Sequence, residues 1–475
     1  MAHTKEWRSS MKIRFDYNNM MQAYVGEHGI TDEEILEKGK LAKNALNFYK
    51  TNRGTGMMCW SELPYNQAEI VKELNETARD IRKKFKNFVV LGIGGSALGP
   101  IAVFQALNHL RNNELSRKVR KVPKLYVEDN VDPERMASLL DVIDVEETMF
   151  NVITKSGSTS ETMSQFLIIS DILKKKFGDK AKEHIIATTS EQKGNLIKIA
   201  KREGYKTFYI PDGVGGRFSE LCPVGLLTAA VMGVNIAEML KGAADMDKAC
   251  LNKNVSENPA LAAAVLQYIA IEKGNNISVM MPYADGLKYI ADWYCQLWGE
   301  SLGKRVDLDG KEVFAGQTPV KALGVTDQHS QIQLYTEGPF DKVITFLGVD
   351  KYRAEVKIPD GYKDIPAVSF LCGHTLNELI TAERMATEYA LMRAGRLNQT
   401  IMLPELNEYT LGQLLMFFEI QTAFVGAMFN IDSFNQPGVE EGKNATYALL
   451  GKEGFEDKKK ELASAPKKDA KYIIG

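Results

Sequence analysis

The chain has 475 residues, 44% of them apolar and 25% charged, with a net charge of −2. That length predicts two or three domains with ordinary cores, and the near-neutral balance supplies no global basic field, so nucleic acid is not the expected main partner. Five cysteines without a CxxC spacing read as reduced thiols, and six histidines without HxH or HxxxH pairing predict no metal site.

Residues 1–60 read as mainly helical, with Thr31-Asp-Glu-Glu34 a capping box before Ile35 and Leu36. A helical pattern from 66 leads into a strand at 87–91. Then come a helix at 98–111, a strand at 124–128, a helix at 133–141 and a strand at 148–153. A helix at 160–176, a strand at 184–188, a helix at 191–202 and a strand at 206–210 complete the first alternating region. Strands separated by helices of this length predict a doubly wound parallel sheet, with ligands beyond the carboxyl ends of its strands. A second alternating region begins at 277, with strands at 277–281, 343–346, 355–358 and 400–403 and helices at 284–299, 374–394 and 408–429. The fold class expected is therefore α/β with two doubly wound, parallel-rich domains plus helical N- and C-terminal segments. The boundaries are 1–60, 61–240, 241–430 and 431–475. The tail after 450 is lysine-rich and predicts a surface helix with a frayed end. No charged-then-apolar leader and no apolar run near 20 residues is visible, so a soluble cytoplasmic protein is expected.

Two turns carry the first chemical signal. Gly92-Ile93-Gly94-Gly95-Ser96 and Thr154-Lys155-Ser156-Gly157-Ser158-Thr159 each join a predicted strand to a predicted helix. Such turns expose backbone N–H groups at a helix N-terminus, and their hydroxyls add donors, which suits a phosphate dianion. Asp212-Gly-Val-Gly-Gly-Arg217-Phe-Ser219 places an arginine after a diglycine, where backbone can approach a ligand closely; alone it reads equally as a surface turn. Gln296 and Glu300 lie four apart on a predicted helix and share a face. Beside Trp298 the carboxylate is a general-base candidate whose pKa desolvation would raise, although a solvated helix-end carboxylate is the simpler local reading. His329, in Thr326-Asp-Gln-His-Ser-Gln331, can pass protons near neutrality. Phe434-Asn-Gln-Pro-Gly-Val-Glu-Glu-Gly-Lys443 is a turn into a helix, with Lys443 near its first turn.

Together these segments resemble the glucose-6-phosphate isomerase (phosphoglucose isomerase) family in its bacterial form. Gly-Gly-Arg-Phe-Ser with its flanks (212–225) is similar to one family signature, and 434–443 is similar to the other. The order Ser96, the 154–159 loop, Arg217, Glu300, His329, Lys443 is the family's order. The likeness runs from about 60 to 445. Two departures stand out. Leu302 occupies a position where many members carry asparagine, and Ser-Gly-Ser-Thr replaces the bulkier Thr-Phe-Thr-Thr of animal members.

The resemblance implies two sugar-isomerase (SIS) domains and an aldose–ketose isomerase that interconverts glucose 6-phosphate and fructose 6-phosphate through a cis-enediol, without a metal or other cofactor. It implies phosphate contacts from Lys155, Ser156, Ser158 and Thr159, with Gly95 and Ser96 flanking the sugar and Gln296 and Gln436 bonding its hydroxyls. It implies Glu300 as the base and Arg217 as the donor to the developing oxyanion. His329 opens the ring with Lys443 assisting, and His329 is contributed across the interface of a homodimer. A phosphosugar-binding regulatory protein, which needs the phosphate loop but no base, and an isomerase of broader hexose-phosphate range remain alternatives.

Overall fold

The computed structural model describes residues 4–475. Its strands are β1 (Arg14–Asp16), β2 (Asn87–Leu91), β3 (Lys124–Glu128), β4 (Thr148–Ile153), β5 (Ile185–Thr189), β6 (Lys206–Tyr209), β7 (Ile277–Pro282), β8 (Lys304–Val306), β9 (Glu312–Ala315), β10 (Thr318–Lys321), β11 (Lys342–Lys351) and β12 (Asn398–Glu405). They form two five-stranded sheets and the hairpin β8–β9.

The first sheet has the order β3-β2-β4-β5-β6 with every pair parallel. Parallel strands need helices on both faces, which explains why β2, β4 and β5 are buried at every residue. Register places Val89 beside Phe150 and Phe150 beside Ile185, with Leu91, Val152 and Ala187 forming the next row. On these rows pack Leu139, Phe166, Ile169, Leu173, Leu196 and Ala200 from the three helices Pro133–Val142, Ser160–Phe177 and Asn195–Glu203. A fully buried phenylalanine such as Phe150 is worth roughly 1.5–3 kcal/mol in transfer alone.

The winding positions the site. From β2 the chain moves outward to β3, then returns past β2 to β4, β5 and β6. Neighbours β2 and β4 thus send the chain in opposite directions, which opens a crevice at their carboxyl ends. The turns leaving those two strands are 92–96 and 154–159.

The second sheet has the order β1-β12-β11-β7-β10. Its parallel strands β7, β10, β11 and β12 repeat the winding of β2, β3, β4 and β5, and β1 adds antiparallel to the edge of β12. Val279, Met281, Ile344 and Phe346 form its core with Tyr335 and Leu391. Three local expectations are corrected here. Residues 14–16 are an edge strand inside a segment expected to be helical. Residues 355–358 contribute only the isolated bridge Lys357–Thr375, since no strand covers Val356, which stays 51% exposed. Strand β10 lies outside the expected strands, and its edge position tolerates Pro319.

The helix Glu408–Met428 has 21 residues and is apolar enough to span a membrane by length and composition, but 94% of its apolar window is buried inside the protein. It crosses the helix Ile236–Ala249 through two glycines. A Cβ on Gly242 would fall 1.9 Å from the Tyr409 carbonyl oxygen, and one on Gly412 would fall 1.9 Å from that of Met239.

The chain divides into two compact units, the first ending at Ser433 and containing both sheets, the second Phe434–Gly475. Within the second, helices Glu440–Leu449 and Glu456–Ser464 follow one another, and Tyr447 meets Phe455 edge-on at 5.2 Å.

Candidate active site

Backbone proximity comes first. Gly94 takes φ +58°, and the helix Gly95–Leu107 begins directly after it. A Cβ on Gly95 would sit 2.1 Å from the Gly216 carbonyl oxygen and 2.7 Å from the Arg217 nitrogen, so only glycine lets the 215–217 turn rest on this helix start. A Cβ on Gly94 would meet Gln296 Nε2 at 3.0 Å. The 92–96 turn, Arg217 and the helix Lys288–Leu302 therefore converge at one point, with Ser96 half-buried beside them.

The 154–159 loop is folded by its own hydroxyls. Thr154 Oγ1 accepts from the Gly157 N–H at 3.2 Å and lies 3.1 Å from Thr159 Oγ1; Ser158 donates to Ser156 Oγ at 2.8 Å. Ser156 and Ser158 face solvent, and Thr159 stands at the N-cap of the 18-residue helix Ser160–Phe177. A helix N-terminus flanked by N–H groups and hydroxyls attracts an anion. Lys155 points elsewhere. Its ammonium donates to the Asp212 carbonyl and, at 3.0 Å, to that of Val214, which stitches this loop to the arginine-bearing segment. Burial lowers its pKa and Asp212 opposes the shift.

Arg217 is 3% exposed and held on every side. Its Nε donates to Ser301 Oγ at 2.7 Å, Nη2 to the Ser433 carbonyl at 2.6 Å and Nη1 to Glu300 Oε2 at 3.2 Å. The next residue, Phe218, stacks on Trp60 at 4.9 Å. Burial lowers the guanidinium's pKa, and Glu300 works against that shift. Glu300 Oε1 accepts from Gln296 Nε2 at 3.2 Å, so the expected shared helix face is realised as a hydrogen bond. The carboxylate keeps 35% of its side chain exposed, while Gln296 Oε1 is buried without a hydrogen bond. Trp298 lies two positions away on another face, and its Nε1 donates to Gln317 Oε1 at 3.0 Å. Arg217 and Gln296, not the tryptophan, frame the carboxylate.

Lys304, at the start of β8, follows the helix Lys288–Leu302 after Gly303. It is 6% exposed, and its ammonium donates to the Glu300 and Ser301 carbonyls at 2.6 and 3.0 Å, closing the helix C-terminus. Burial first, then the charge of Arg217, brings its pKa down to about 8, against the pull of Asp432 and Glu300. The sequence also hid Glu220 and Glu419. Both are fully buried, the Glu220 oxygens and Glu419 Oε1 lack hydrogen-bond partners, and burial raises both pKa values far above the ordinary carboxylate range. A Cβ on Gly99 would lie 2.1 Å from Glu220 Oε2, which puts this carboxyl under the Gly95–Leu107 helix.

His329 ends the turn Thr326–His329, beyond the carboxyl end of β10. Its imidazole is exposed and makes no hydrogen bond or ion pair among the described residues. The turn itself is fixed: Asp327 accepts from the Leu323 N–H at 2.7 Å, and Gln328 takes the Tyr283 hydroxyl at 2.6 Å and donates to Glu383 at 2.8 Å. Lys443 and Gln436 belong to the second compact unit. Lys443 is exposed and pairs with Glu440 at 2.8 Å in the first turn of its helix, and Gln436 precedes the turn Pro437–Val439. Among the described residues, no three His, Cys, Asp or Glu side chains stand together as a metal-binding set.

This arrangement offers an anion cradle beside a fixed cation and an accessible carboxylate, the parts needed to hold a phosphorylated substrate and move a proton on it. The phosphoglucose isomerase family model matches residues 71–465. The chain is 55% identical to a glucose-6-phosphate isomerase of Carboxydothermus hydrogenoformans over 98% of this chain and 100% of that one. It is 42% identical to a second, from Rubrobacter xylanophilus, over 93% and 99%. Among solved structures, a hypothetical protein from Thermus thermophilus aligns with a TM-score of 0.83 and 35% identity over 93% of this chain and all of that one. A glucose-6-phosphate isomerase from Chlamydia trachomatis aligns with a TM-score of 0.73 and 25% identity over 89% and 80%.

Proposed function

The chain belongs to the phosphoglucose isomerase family, and we propose that it interconverts glucose 6-phosphate and fructose 6-phosphate by carrying one proton between C2 and C1. The observation that carries the mechanism is the Gln296–Glu300–Arg217 cluster, a carboxylate held at both oxygens yet one-third open to a ligand.

The phosphate sits against Ser156, Ser158, Thr159 and the N–H groups of the 154–159 turn. Lys155 acts by tying that turn to the arginine segment. A remote phosphate anchored this way makes the proton transfer effectively intramolecular, and the gain is spent on orientation at the reacting carbons. Gly95 and Ser96 flank the sugar. Gln296, whose Oε1 is buried and unbonded, takes a hydroxyl, and Gln436 takes another. Ring opening moves a proton off O1 and onto O5, by His329 with Lys443 assisting. Glu300 then removes the C2 proton; the C–H pair becomes the C1=C2 bond, and the former carbonyl electrons settle on O1. O1 takes a proton, O2 gives one up, and Glu300 returns its proton to C1, so that the carbonyl now stands at C2. Arg217 stabilises the oxyanion of the cis-enediolate from a position that burial and its hydrogen bonds to Ser301, Glu300 and Ser433 have fixed beforehand, where such donors contribute most.

The protein is further read as a cytoplasmic homodimer in which His329 of each copy serves the other's site. Support comes from the exposed imidazole, which has no partner in its own chain among the described residues. The four-part division at 60, 240 and 430 is our reading too, supported by the shared winding of the two sheets. The test is conversion of fructose 6-phosphate to glucose 6-phosphate by the purified chain, followed through a coupled dehydrogenase with chelator present. Turnover supports the reading. Binding without turnover would replace it with a phosphosugar sensor.

A further inference from the structure

Glu300 and Ser301, whose side chains hold Arg217, are gripped a second time through their carbonyls. The helix Lys288–Leu302 closes with the Gly303 N–H donating to the Gly299 carbonyl at 3.0 Å. A helix leaves its last carbonyls without intrahelical donors. Here the Glu300 and Ser301 carbonyls take the Lys304 ammonium, at 2.6 and 3.0 Å. On the same two residues, Ser301 Oγ accepts from Arg217 Nε at 2.7 Å and Glu300 Oε2 from Nη1 at 3.2 Å. One helical turn is thus clasped by two cations, Lys304 through its carbonyls and Arg217 through its side chains.

Lys304 is fixed in its turn by the hairpin. Its backbone pairs with Ala315 of β9, and the residue is 6% exposed. Three charged groups bear on its ammonium: Arg217 on the turn Gly216–Phe218 opposes the charge, while Glu300 on the helix and Asp432 favour it. Along the hairpin, Arg305 is taken up by Glu312 at 2.6 Å. A cation at a helix C-terminus is favoured by the macrodipole, and its bonds to carbonyls are stronger than those of a neutral amine. Burial first, and then Arg217, brings its pKa down to about 8, so the charge is lost at moderately alkaline pH.

We infer that Lys304 is a positioning residue for the proposed isomerisation: its ammonium fixes the last helical turn so that the Glu300 carboxylate and the Arg217 guanidinium stand in reacting register. It acts through Glu300 and Ser301 and not on the sugar. The inference rests on the reading of Glu300 as base and Arg217 as oxyanion donor. Removing the ammonium leaves two helix-end carbonyls without their donor and lets the turn that carries the base fray. A misplacement of about 1 Å at reacting groups can cost roughly 10²-fold in rate. Phosphate anchoring at the 154–159 loop is separate from this turn, so the loss falls on kcat and not on KM.

The test measures kcat and KM for fructose 6-phosphate, across neutral and alkaline pH, in the full-length wild type, Lys304→Met and Lys304→Arg. At neutral pH Lys304→Met is expected to lose about 10–100-fold in kcat with KM unchanged, and Lys304→Arg, which keeps the charge, to recover most of that loss. The wild-type kcat is expected to fall with a midpoint at about 8, where the ammonium gives up its proton. Lys304→Arg, charged throughout, should not follow it. A folded Lys304→Met with the wild-type kcat, a loss confined to KM, or the same alkaline fall in Lys304→Arg would overturn the inference and leave the isomerase reading intact. Absence of turnover in the wild type would overturn both. Lys304→Gln, expected to show the same split with a smaller loss, serves if Lys304→Met does not fold.

Discussion

The Arg217–Glu300 cluster and the Thr326–His329 turn are assigned to the two kinds of proton transfer in the same reaction, and they are built differently. Arg217 is 3% exposed and bonded to Glu300, Ser301 and Ser433, with its backbone pressed against the start of another helix through Gly95. His329 stands on an equally well-tied turn, but its own ring is exposed and unbonded within the chain. The contrast follows the chemistry. Removing a proton from carbon requires a preorganised oxyanion donor, which must be fixed before the reaction begins. Moving a proton between the anomeric hydroxyl and the ring oxygen requires a group near neutral pKa that reaches the sugar, and a second subunit can deliver it.

The largest effect that sharpens this contrast is expected at Glu300. Glu300→Gln keeps the shape and the contact with Gln296 but removes the base, and should lower kcat by about 10³–10⁴ with sugar-phosphate binding retained. A loss under tenfold would dissolve the distinction between the two regions. Arg217→Met should cost about 10²–10³ in kcat, measured in the same coupled assay, as for removal of an oxyanion donor. A rise in KM with unchanged kcat would instead assign Arg217 to ground-state binding.

His329→Asn is expected to lose about 10²-fold on fructose 6-phosphate. Mixing His329→Asn with Glu300→Gln under conditions of subunit exchange should restore part of the activity, because one of the two sites in a mixed dimer then holds both wild-type groups. No recovery in a verified heterodimer would place His329 in its own chain's site or outside both. The smallest effect is on stability. Glu220 binds its proton more tightly folded than unfolded, so between the ordinary carboxylate value of 4.5 and its raised folded value the folded state holds more protons, and stability falls as pH rises. Glu220→Gln should raise stability at neutral pH by about 1–3 kcal/mol, with the gain shrinking toward pH 4.5 in denaturant titrations.

Much of the rigid region was legible in the sequence because it rests on local rules. The diglycine before Arg217 announces a close approach, and the spacing of Gln296 and Glu300 puts both on one face, where a 3.2 Å hydrogen bond joins them. Strand and helix alternation around 87–210 led to the sheet whose winding puts both turns at one crevice. What stayed hidden depends on contacts between distant segments. Lys155 looked like a phosphate ligand, but its ammonium is taken by carbonyls of the 212–214 segment. Nothing local in the sequence marks Lys304, Glu220 or Glu419 as buried; only the packing of distant segments buries them. Tryptophan at 298 suggested a desolvating wall that the helix turns away from Glu300.

Solvent exchange at the reacting carbon tests the central assignment most directly. Wild type and Glu300→Gln are each incubated with fructose 6-phosphate in D2O, and deuterium at C1 is read by NMR alongside a binding measurement. If Glu300 is the base that shuttles the proton, wild type exchanges C1 hydrogen with solvent, while Glu300→Gln binds the sugar phosphate and exchanges none within the same time. Exchange that persists at the wild-type rate in Glu300→Gln would contradict the assignment and place the base elsewhere.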